Sequence, residues 1–386
     1  MLKASHRVFL AAGKRTPFGF FVGTFAKIPA PILCAHSILG VFSSTKIKPH
    51  EISSAIYGCG IQSGLGHNPT KQALLAANLP DDIPCTTINQ GHCSGSKSVI
   101  LAYQEIALGH SDIVLCGGYD SVSLSPFNIK KGRNPTTGDI LAEDCYIKDG
   151  LHNPFYNTHA GIILERTNLE LTIPLIDQDI QAKNQYKKRD IAYARNYHEK
   201  EIFPFGNENT DELYGKVTQK DNFSKPLYYK QGTVNAYTAA TPGDGACSLL
   251  LVSEEKLKSL ELTPIAEIVK TAEIAISSNA FPKANSEVAK KVLYKLGWTF
   301  RQVNLWEVND YYSGLDLAFA KYSGVLEELI NINGSTLAIG DPMAASSARQ
   351  VLSLSLALKE RSLKKGVAVS CEITGGATAI AIQVVD

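Results

Sequence analysis

The sequence predicts an α/β fold in which two similar halves flank an inserted polar segment. Short apolar runs alternate with segments of helical periodicity along most of the 386 residues, as expected for buried strands covered by helices. A glycine turn followed by an Ala- and Ser-rich helix start occurs twice, at 91–101 and at 340–349. The region between Ser125 and Thr241 is instead polar and rich in Asn, Lys and Tyr. A segment of this length between compact halves is typical of a subdomain that covers a functional site.

The predicted strands are short apolar runs bounded by turn residues. They are Val8–Ala12, Ala55–Cys59, Ile113–Cys116 and Cys247–Val252. The predicted helices of the two halves are Ile32–Phe42, Thr70–Ala77, Ser96–Leu108, Asn285–Leu296 and Ser346–Lys359. Their alternation with strands favours largely parallel strands that are buried on both faces. In the inserted region, Gln178–Lys200 has the pattern of a helix.

The repeated glycine turn continues in both halves into an apolar strand and further glycines, at Asp112–Gly118 and Val367–Gly376. Ala55–Gly64 and Leu305–Gly314 are also alike, each a strand followed by Ser-Gly. Internal similarity of this kind indicates a duplicated half-domain. The expected boundaries are 1–124 plus 243–262 for the first half, 125–242 for the inserted loop domain and 263–386 for the second half.

Charge and hydropathy exclude several classes of partner. The 38 Lys and Arg balance the 37 Asp and Glu to a formal net charge of +1, which leaves no electrostatic footprint for nucleic acid. No apolar run approaches the length of a membrane span, and the run near the N-terminus is too short for a signal peptide. We therefore expect no nucleic-acid or membrane partner and a cytoplasmic location.

The eight cysteines are spaced neither for a zinc site nor for a disulfide framework. None forms a C-x-x-C pair or alternates with His at metal-ligand spacing. We expect no metal site, and most of these cysteines should be small buried hydrophobes. Only Cys93 and Cys371 lie in Gly- and Ser-rich turns, where a thiol could do chemistry.

Several motifs spread over the whole chain carry a resemblance to a known enzyme family. They are Ala11–Pro17, Gly66–Gln72, Gly109–Ser123, Gly243–Ala246, Gly340–Arg349 and Lys365–Gly376. Together they resemble the thiolases, specifically the biosynthetic acetyl-CoA acetyltransferase type. The resemblance implies the thiolase fold, in which two duplicated halves with mixed sheets pack as five alternating layers of helices and sheets and carry an inserted loop domain. It also implies acyl-CoA as ligand or substrate, acyl transfer as the nominal activity, no bound cofactor, and a homodimer or homotetramer.

The family's nucleophile motif, Asn-x-x-Cys-x-Ser-Gly, resembles the segment that begins at Asn89. Counted from Asn89, the nucleophile position falls on His92, and Cys93 comes one residue late. The similarity runs from Asn68 to Ser121 without a gap, which supports this register. The thiolate that takes the acyl group in the family is therefore replaced by an imidazole.

The other catalytic positions are partly kept. By resemblance, Asn309 matches the Asn that holds a water near the thioester oxygen, and Cys371 matches the Cys that moves the proton. Asp341 stands in place of the activating His. Tyr311 and Tyr312 replace smaller or apolar family residues, and either narrow the acyl cavity or simply pack.

The resemblance also identifies substrate-binding positions. His159 matches a residue near the pantetheine arm, and Ala240 replaces a Ser that contacts CoA. Gly375 and Gly376 match a glycine run whose backbone N–H contributes an oxyanion hole, although they come one residue later than in the family.

Three interpretations of this altered site remain open. The protein is a non-catalytic homologue, or a shifted turn presents Cys93 as an ordinary nucleophile. In the third, Cys371, His92 and Asp341 form a rearranged set of nucleophile, base and orienting acceptor for an acyl-CoA hydrolase or transferase. The last interpretation requires His92 and Asp341 within hydrogen-bond reach of each other and close to Cys371.

Overall fold

A computed structural model of the chain describes residues 6–129, 139–216 and 225–385. The strands in these ranges are β1 (Val8–Arg15), β2 (Gly19–Phe20), β3 (Ser54–Gly58), β4 (Cys85–Ile88), β5 (Ile113–Ser121), β6 (Phe127–Ile129), β7 (Ala142–Asp144), β8 (His152–Asn153), β9 (Thr158–His159), β10 (Gly243–Ser253), β11 (Ala266–Ala275), β12 (Leu305–Val308), β13 (Lys365–Cys371) and β14 (Gly376–Gln383). The helices are α1 (Ala30–Ser43), α2 (Pro69–Ala76), α3 (Ser94–Ala107), α4 (Ala160–Glu170), α5 (Leu175–Ala194), α6 (His198–Glu201), α7 (Glu254–Ser259), α8 (Phe281–Leu296), α9 (Ser313–Ser323), α10 (Thr336–Ile339) and α11 (Ala344–Glu360).

The main sheet shows the duplication directly in its strand order, which is β12-β13-β14-β11-β1-β10-β5-β3-β4. On one side of the β1–β11 contact the order is β1-β10-β5-β3, and on the other it is β11-β14-β13-β12. In both halves a parallel pair, β3–β5 or β12–β13, continues into antiparallel neighbours. The predicted α/β fold with two similar halves is confirmed, whereas the exact boundaries of the three expected domains stay a prediction.

The sheet is mixed, as the resemblance implies, whereas the alternation of strands with helices favoured largely parallel strands. Among the described strands of the main sheet, only the β3–β4, β3–β5 and β12–β13 pairs are parallel. The link from β13 to β14 shows the reason. The turn between Cys371 and Gly376 is too short for a crossover, so the two strands must run antiparallel.

Three layers of helices enclose the two halves of the sheet. Helices α3 and α11 pack against each other and against strands of both halves, and form the central layer. Helices α1 and α2 cover the outer face of the first half, and α8 and α9 cover that of the second. All the predicted helices of the two halves are present. The helix predicted in the inserted region forms as α5 and α6, with Asn196 at a φ of 55° between them.

A glycine allows the two central helices to approach closely at their N-termini. A Cβ on Gly95 would lie 2.1 Å from the carbonyl oxygen of Ala344, which is far inside van der Waals contact. Only glycine fits such a backbone approach. The turns that precede α3 and α11 therefore meet, and these turns carry His92 and Asp341.

None of the helices in the described ranges combines the length and the apolar character that a membrane crossing requires. The inner layers of the structure contain buried ionisable side chains. Glu307 on β12 is 1% exposed, and its Oε2 lies 3.5 Å from Nη2 of Arg349. Burial raises the pKa of Glu307 to about 8, although Arg349 opposes the shift.

This raised pKa predicts a pH-dependent stability. Between about pH 4.5 and 8 the folded protein keeps the Glu307 proton that the unfolded chain has lost, so the free energy of unfolding should fall as the pH rises. Glu307→Gln should flatten that fall by roughly 2 kcal/mol or more between pH 5 and pH 8. Urea unfolding of both proteins at the two pH values measures it. Parallel pH profiles for the two would contradict the assignment.

Candidate functional site

His92 lies in the turn between β4 and α3, where it faces Asp341. Its Nε2 is 3.3 Å from Oδ2 of Asp341, and the two residues are 1% and 5% exposed. The other oxygen, Oδ1, accepts a hydrogen bond of 2.7 Å from the hydroxyl of Ser346 on α11. An imidazole and a carboxylate from the two halves of the chain thus meet in a buried contact. This is the first contact that the rearranged set requires.

The Tyr311 ring stacks on the imidazole of His92. The ring centroids are 4.2 Å apart and the planes are inclined by 18°. Phe281 lies parallel to Tyr311 at 6.3 Å, and Tyr311 is 3% exposed. His92 is therefore held both by Asp341 at its edge and by Tyr311 on its face, so the imidazole is fixed in orientation.

Cys93 is the residue that caps the N-terminus of α3, but its thiol points into the protein. Its Sγ donates to the carbonyl oxygen of Ser370 at 3.2 Å, and the residue is fully buried. Burial raises the pKa of the Cys93 thiol well above its usual range, and the neighbouring Cys371 and Glu372 add to the effect. The Cys93 thiol is therefore neutral at physiological pH.

Cys371 ends β13 and is fully buried as well. Burial raises the pKa of its thiol to about 12, and the adjacent Glu372 carboxylate acts in the same direction. In the part of the chain that the structure describes, this thiol forms neither a hydrogen bond nor an ion pair with His92. The second requirement of the rearranged set, a base in contact with Cys371, is thus missing from the described contacts.

Asn309 directly follows β12 and has a buried side-chain amide. Its backbone N–H donates to the carbonyl of Val369, and the residue is fully buried. Neither side-chain atom has a hydrogen-bond partner among the described residues. Because buried amides are nearly always satisfied, this one is suited to binding a water or a ligand atom.

The carboxylate of Glu372 occupies the glycine loop that joins β13 to β14. Its Oε1 accepts from the backbone N–H of Gly376 at 2.6 Å and from the hydroxyl of Thr374 at 2.5 Å. Its Oε2 accepts from the backbone N–H of Thr374 at 2.7 Å. Gly375, at a φ of 96°, donates to the carbonyl of Glu372 instead. The backbone N–H groups of Thr374 and Gly376 are thus already bound to a side chain of the protein itself.

Two cavities flank the contact between His92 and Asp341. A polar one of about 360 Å³ lies beside the turn of His92, next to Lys148, His152 and Glu372. The other, of about 180 Å³, reaches Asp341 from the inserted region. Its lining is Tyr146, Leu151, His159, Leu227, Tyr228, Ala239, Ala240, Pro242, Tyr311, Tyr312 and Asp341.

The structure thus places His159 and Ala240, two sequence-predicted binding residues, along the cavity that ends at Asp341. The sequence analysis missed Tyr146, Tyr228 and Glu372. Ile373 and Thr374 interrupt a glycine motif and so mark the loop that carries Glu372, but nothing in the sequence singles out Glu372 itself. The two tyrosines had no signal, because nothing in the sequence of the inserted region indicates which residues turn inward. Within the described ranges, no three His, Cys, Asp or Glu side chains come together in a way that could hold a metal ion.

Comparison with protein families matches both halves of the chain. The model of the thiolase N-terminal domain matches residues 8–255, and that of the thiolase C-terminal domain matches residues 262–384. Together the two matches cover nearly the whole chain, and both models describe domains of the same family. The boundary between the two models falls between β10 and β11.

Individual relatives match over nine tenths or more of their lengths. Human mitochondrial acetyl-CoA acetyltransferase is 35% identical over 387 residues, which cover 97% of this chain and 90% of the relative. Acetyl-CoA acetyltransferase of Schizosaccharomyces pombe is 34% identical, with 97% and 98% covered. Among solved structures, the Acat5 thiolase of Ascaris suum in complex with coenzyme A superimposes with a TM-score of 0.93 at 29% identity, over 98% of this chain and all of the other. The Bacillus anthracis acetyl-CoA acetyltransferase gives 0.92 at 28% identity, over 99% and 100%.

Proposed function

The chain belongs to the thiolase family, and from this premise we propose that it binds acyl-CoA without carrying out the family's carbon–carbon condensation. One observation carries the proposal. At the position that the family motif assigns to the nucleophile stands His92, fixed by Asp341 and Tyr311. An imidazole in this place leaves the reaction without the thiolate that would accept the acyl group.

The two nearby thiols do not supply a substitute. Burial raises the pKa of both Cys93 and Cys371, so neither is ionised at physiological pH. Cys93 in addition uses its S–H for the carbonyl of Ser370. These features argue against a conventional enzyme that uses Cys93.

The groups that would bind a developing oxyanion also have the wrong charge or are occupied. Asp341 stands where the family has a donor, and a carboxylate there repels negative charge. The backbone N–H of Gly376 is already bound to Glu372. The loss of one such donor typically costs about 10²–10³ in rate, so the two changes together disfavour a thioester reaction strongly.

A second candidate function, hydrolysis of acyl-CoA by Cys371, is favoured by the contact between His92 and Asp341. That contact orients an imidazole as a base would be oriented in a Cys–His–Asp set. A bound substrate would have to bring His92 to Cys371. Release of CoA from acetyl-CoA that Cys371→Ala abolishes would favour this candidate over binding alone.

We also propose that the protein forms a homodimer or a homotetramer. Apolar side chains are exposed on and beside the paired strands β6 and β7, namely Phe127, Ile129, Ile140 and Leu141. Such a cluster is typical of a surface that is covered in an assembly. A cytoplasmic location stays a prediction, as do the expectations of no bound cofactor and no metal.

The proposed function predicts binding without turnover. Purified protein should bind acetyl-CoA and CoA in a calorimetric titration, because His159 and Ala240 line a cavity that leads to the site. With acetoacetyl-CoA plus CoA, and with acetyl-CoA alone, neither the thioester absorbance nor the amount of free thiol should change. Thiolysis that Cys93→Ala abolishes would contradict the proposal. A protein that binds no CoA compound would overturn it as well.

A further inference from the structure

The cavity that ends at Asp341 is walled by four tyrosines. Tyr311 and Tyr312 come from the loop after β12, whereas Tyr146 and Tyr228 come from the inserted region. The rings are inclined to one another, by 57° between Tyr311 and Tyr312 and by 79° between Tyr312 and Tyr228. Together with Asp341 they line the cavity, although the ring of Tyr311 also stacks on the imidazole of His92.

The lining of the cavity includes one carboxylate, that of Asp341, which also contacts His92 and Ser346. Among the described residues that line it, none is Lys or Arg. His159 is the other titratable base, and burial lowers its pKa to about 4, with help from His152, so it is neutral at physiological pH. Burial and the charge of Asp341 raise the pKa of Tyr146 well above its usual range, so that phenol also stays protonated.

Aromatic rings around a carboxylate are a recognition site for a cation. The faces of aromatic rings attract ammonium groups, most strongly where water is excluded, and a buried carboxylate adds direct attraction. The same carboxylate disfavours the neutral carbonyl group of an ordinary thioester, whose oxygen requires a donor. The replacement of a donor by Asp341 therefore inverts the charge preference of the site.

We propose that this cavity binds a small organic ammonium group, of the size of the trimethylammonium head of choline. The volume of about 180 Å³ corresponds to roughly six water molecules at about 30 Å³ each, which accommodates such a head group. The group is either a free cation or the end of an acyl chain on CoA. The second form rests on the proposed function, whereas the first does not.

Matched pairs of probes test the charge preference. Choline and 3,3-dimethylbutan-1-ol differ only in the quaternary nitrogen, as do the CoA thioesters of glycine betaine and of 3,3-dimethylbutyrate. In calorimetric titrations the charged member of at least one pair should bind about tenfold or more tightly than its neutral partner. If choline binds more tightly than its neutral partner, the ligand of the cavity is a free cation. If only the charged thioester binds more tightly than its neutral partner, the ligand is an ammonium group on an acyl chain. Equal or tighter binding of both neutral members overturns the proposal.

Variants connect the preference to the cavity. Asp341→Asn should reduce it about tenfold, and Tyr312→Leu should reduce it about threefold to thirtyfold through the loss of one aromatic face. Tyr312→Phe keeps the ring and should retain the preference within about threefold. Circular dichroism confirms that each variant is folded, and unchanged preference in a folded Asp341→Asn protein overturns the assignment. Titration of CoA on the same samples separates the two proposals, because CoA binding without any cation preference overturns the ammonium site alone.

Discussion

The triple replacement His92→Cys, Asp341→His and Tyr311→Ala should raise the rate of acetoacetyl-CoA thiolysis at least about 10³-fold above that of the unmodified chain, although Glu372 still occupies the Gly376 N–H. A cysteine at the turn before α3 would lie at a helix N-terminus, which lowers a thiol pKa. A histidine at 341 would supply the base and the oxyanion donor. Removal of the Tyr311 ring, now stacked at 4.2 Å on residue 92, would clear space for the acyl group.

Two controls make this result specific. The same triple variant with Ser in place of the new Cys should lose the gained activity, because it lacks the thiolate. Addition of Cys93→Ser to the triple variant should leave the gain within about threefold, since that thiol faces the carbonyl of Ser370 and not the site. A gain that instead depends on Cys93 would show that the nucleophile position is not residue 92.

The fold could be predicted from the sequence because its signals are local. Buried strands such as β1 and β10 are continuous apolar runs, and α11 is a long segment of small and apolar residues. Strand direction is a different kind of property. It depends on which distant segments pair, and only the short turn between Cys371 and Gly376 indicated an antiparallel link.

Site residues could be predicted from the sequence only at positions that belong to a family motif. His92 and Asp341 stand out because both depart from the motif, and they lie in contact. The partner of the Gly376 N–H could not be found in this way, because the direction of the Glu372 side chain depends on the folded loop. Tyr146 and Tyr228 reach the cavity only through the path of the inserted region. Side-chain direction in irregular segments leaves no periodic pattern in a sequence.

The replacements that we propose at 92 and 341 are chemically coupled. A buried carboxylate without a partner is costly, and so is a buried imidazole without one. The pair at 3.3 Å satisfies both groups, which explains how the chain tolerates an acid at the meeting point of its two central helices. We therefore expect the His92→Cys change alone to give little activity and a less stable protein, since it leaves Asp341 with Ser346 alone.

The largest loss of stability should come from Asp211→Asn, a change outside the altered site. Asp211 belongs to the inserted region and binds Arg15 at the end of β1 through two hydrogen bonds of 2.6 and 2.9 Å. Both side chains are at most 2% exposed. Burial alone would raise the pKa of Asp211, but Arg15 and the Tyr193 hydroxyl lower it below its usual range, so the carboxylate is charged in the folded protein.

Removal of that charge leaves the Arg15 guanidinium with Glu201 as its remaining carboxylate, 2.8 Å away. A buried cation that loses half of its counter-charge should cost about 3–5 kcal/mol in the free energy of unfolding. Glu360→Gln is the matched control, because its 2.8 Å pair with Lys200 lies at the surface and should contribute less than about 1 kcal/mol. Denaturant unfolding of the three proteins at pH 7 measures both effects. Equal midpoints for the two variants would show that the inserted region is held to β1 by packing and not by this ion pair.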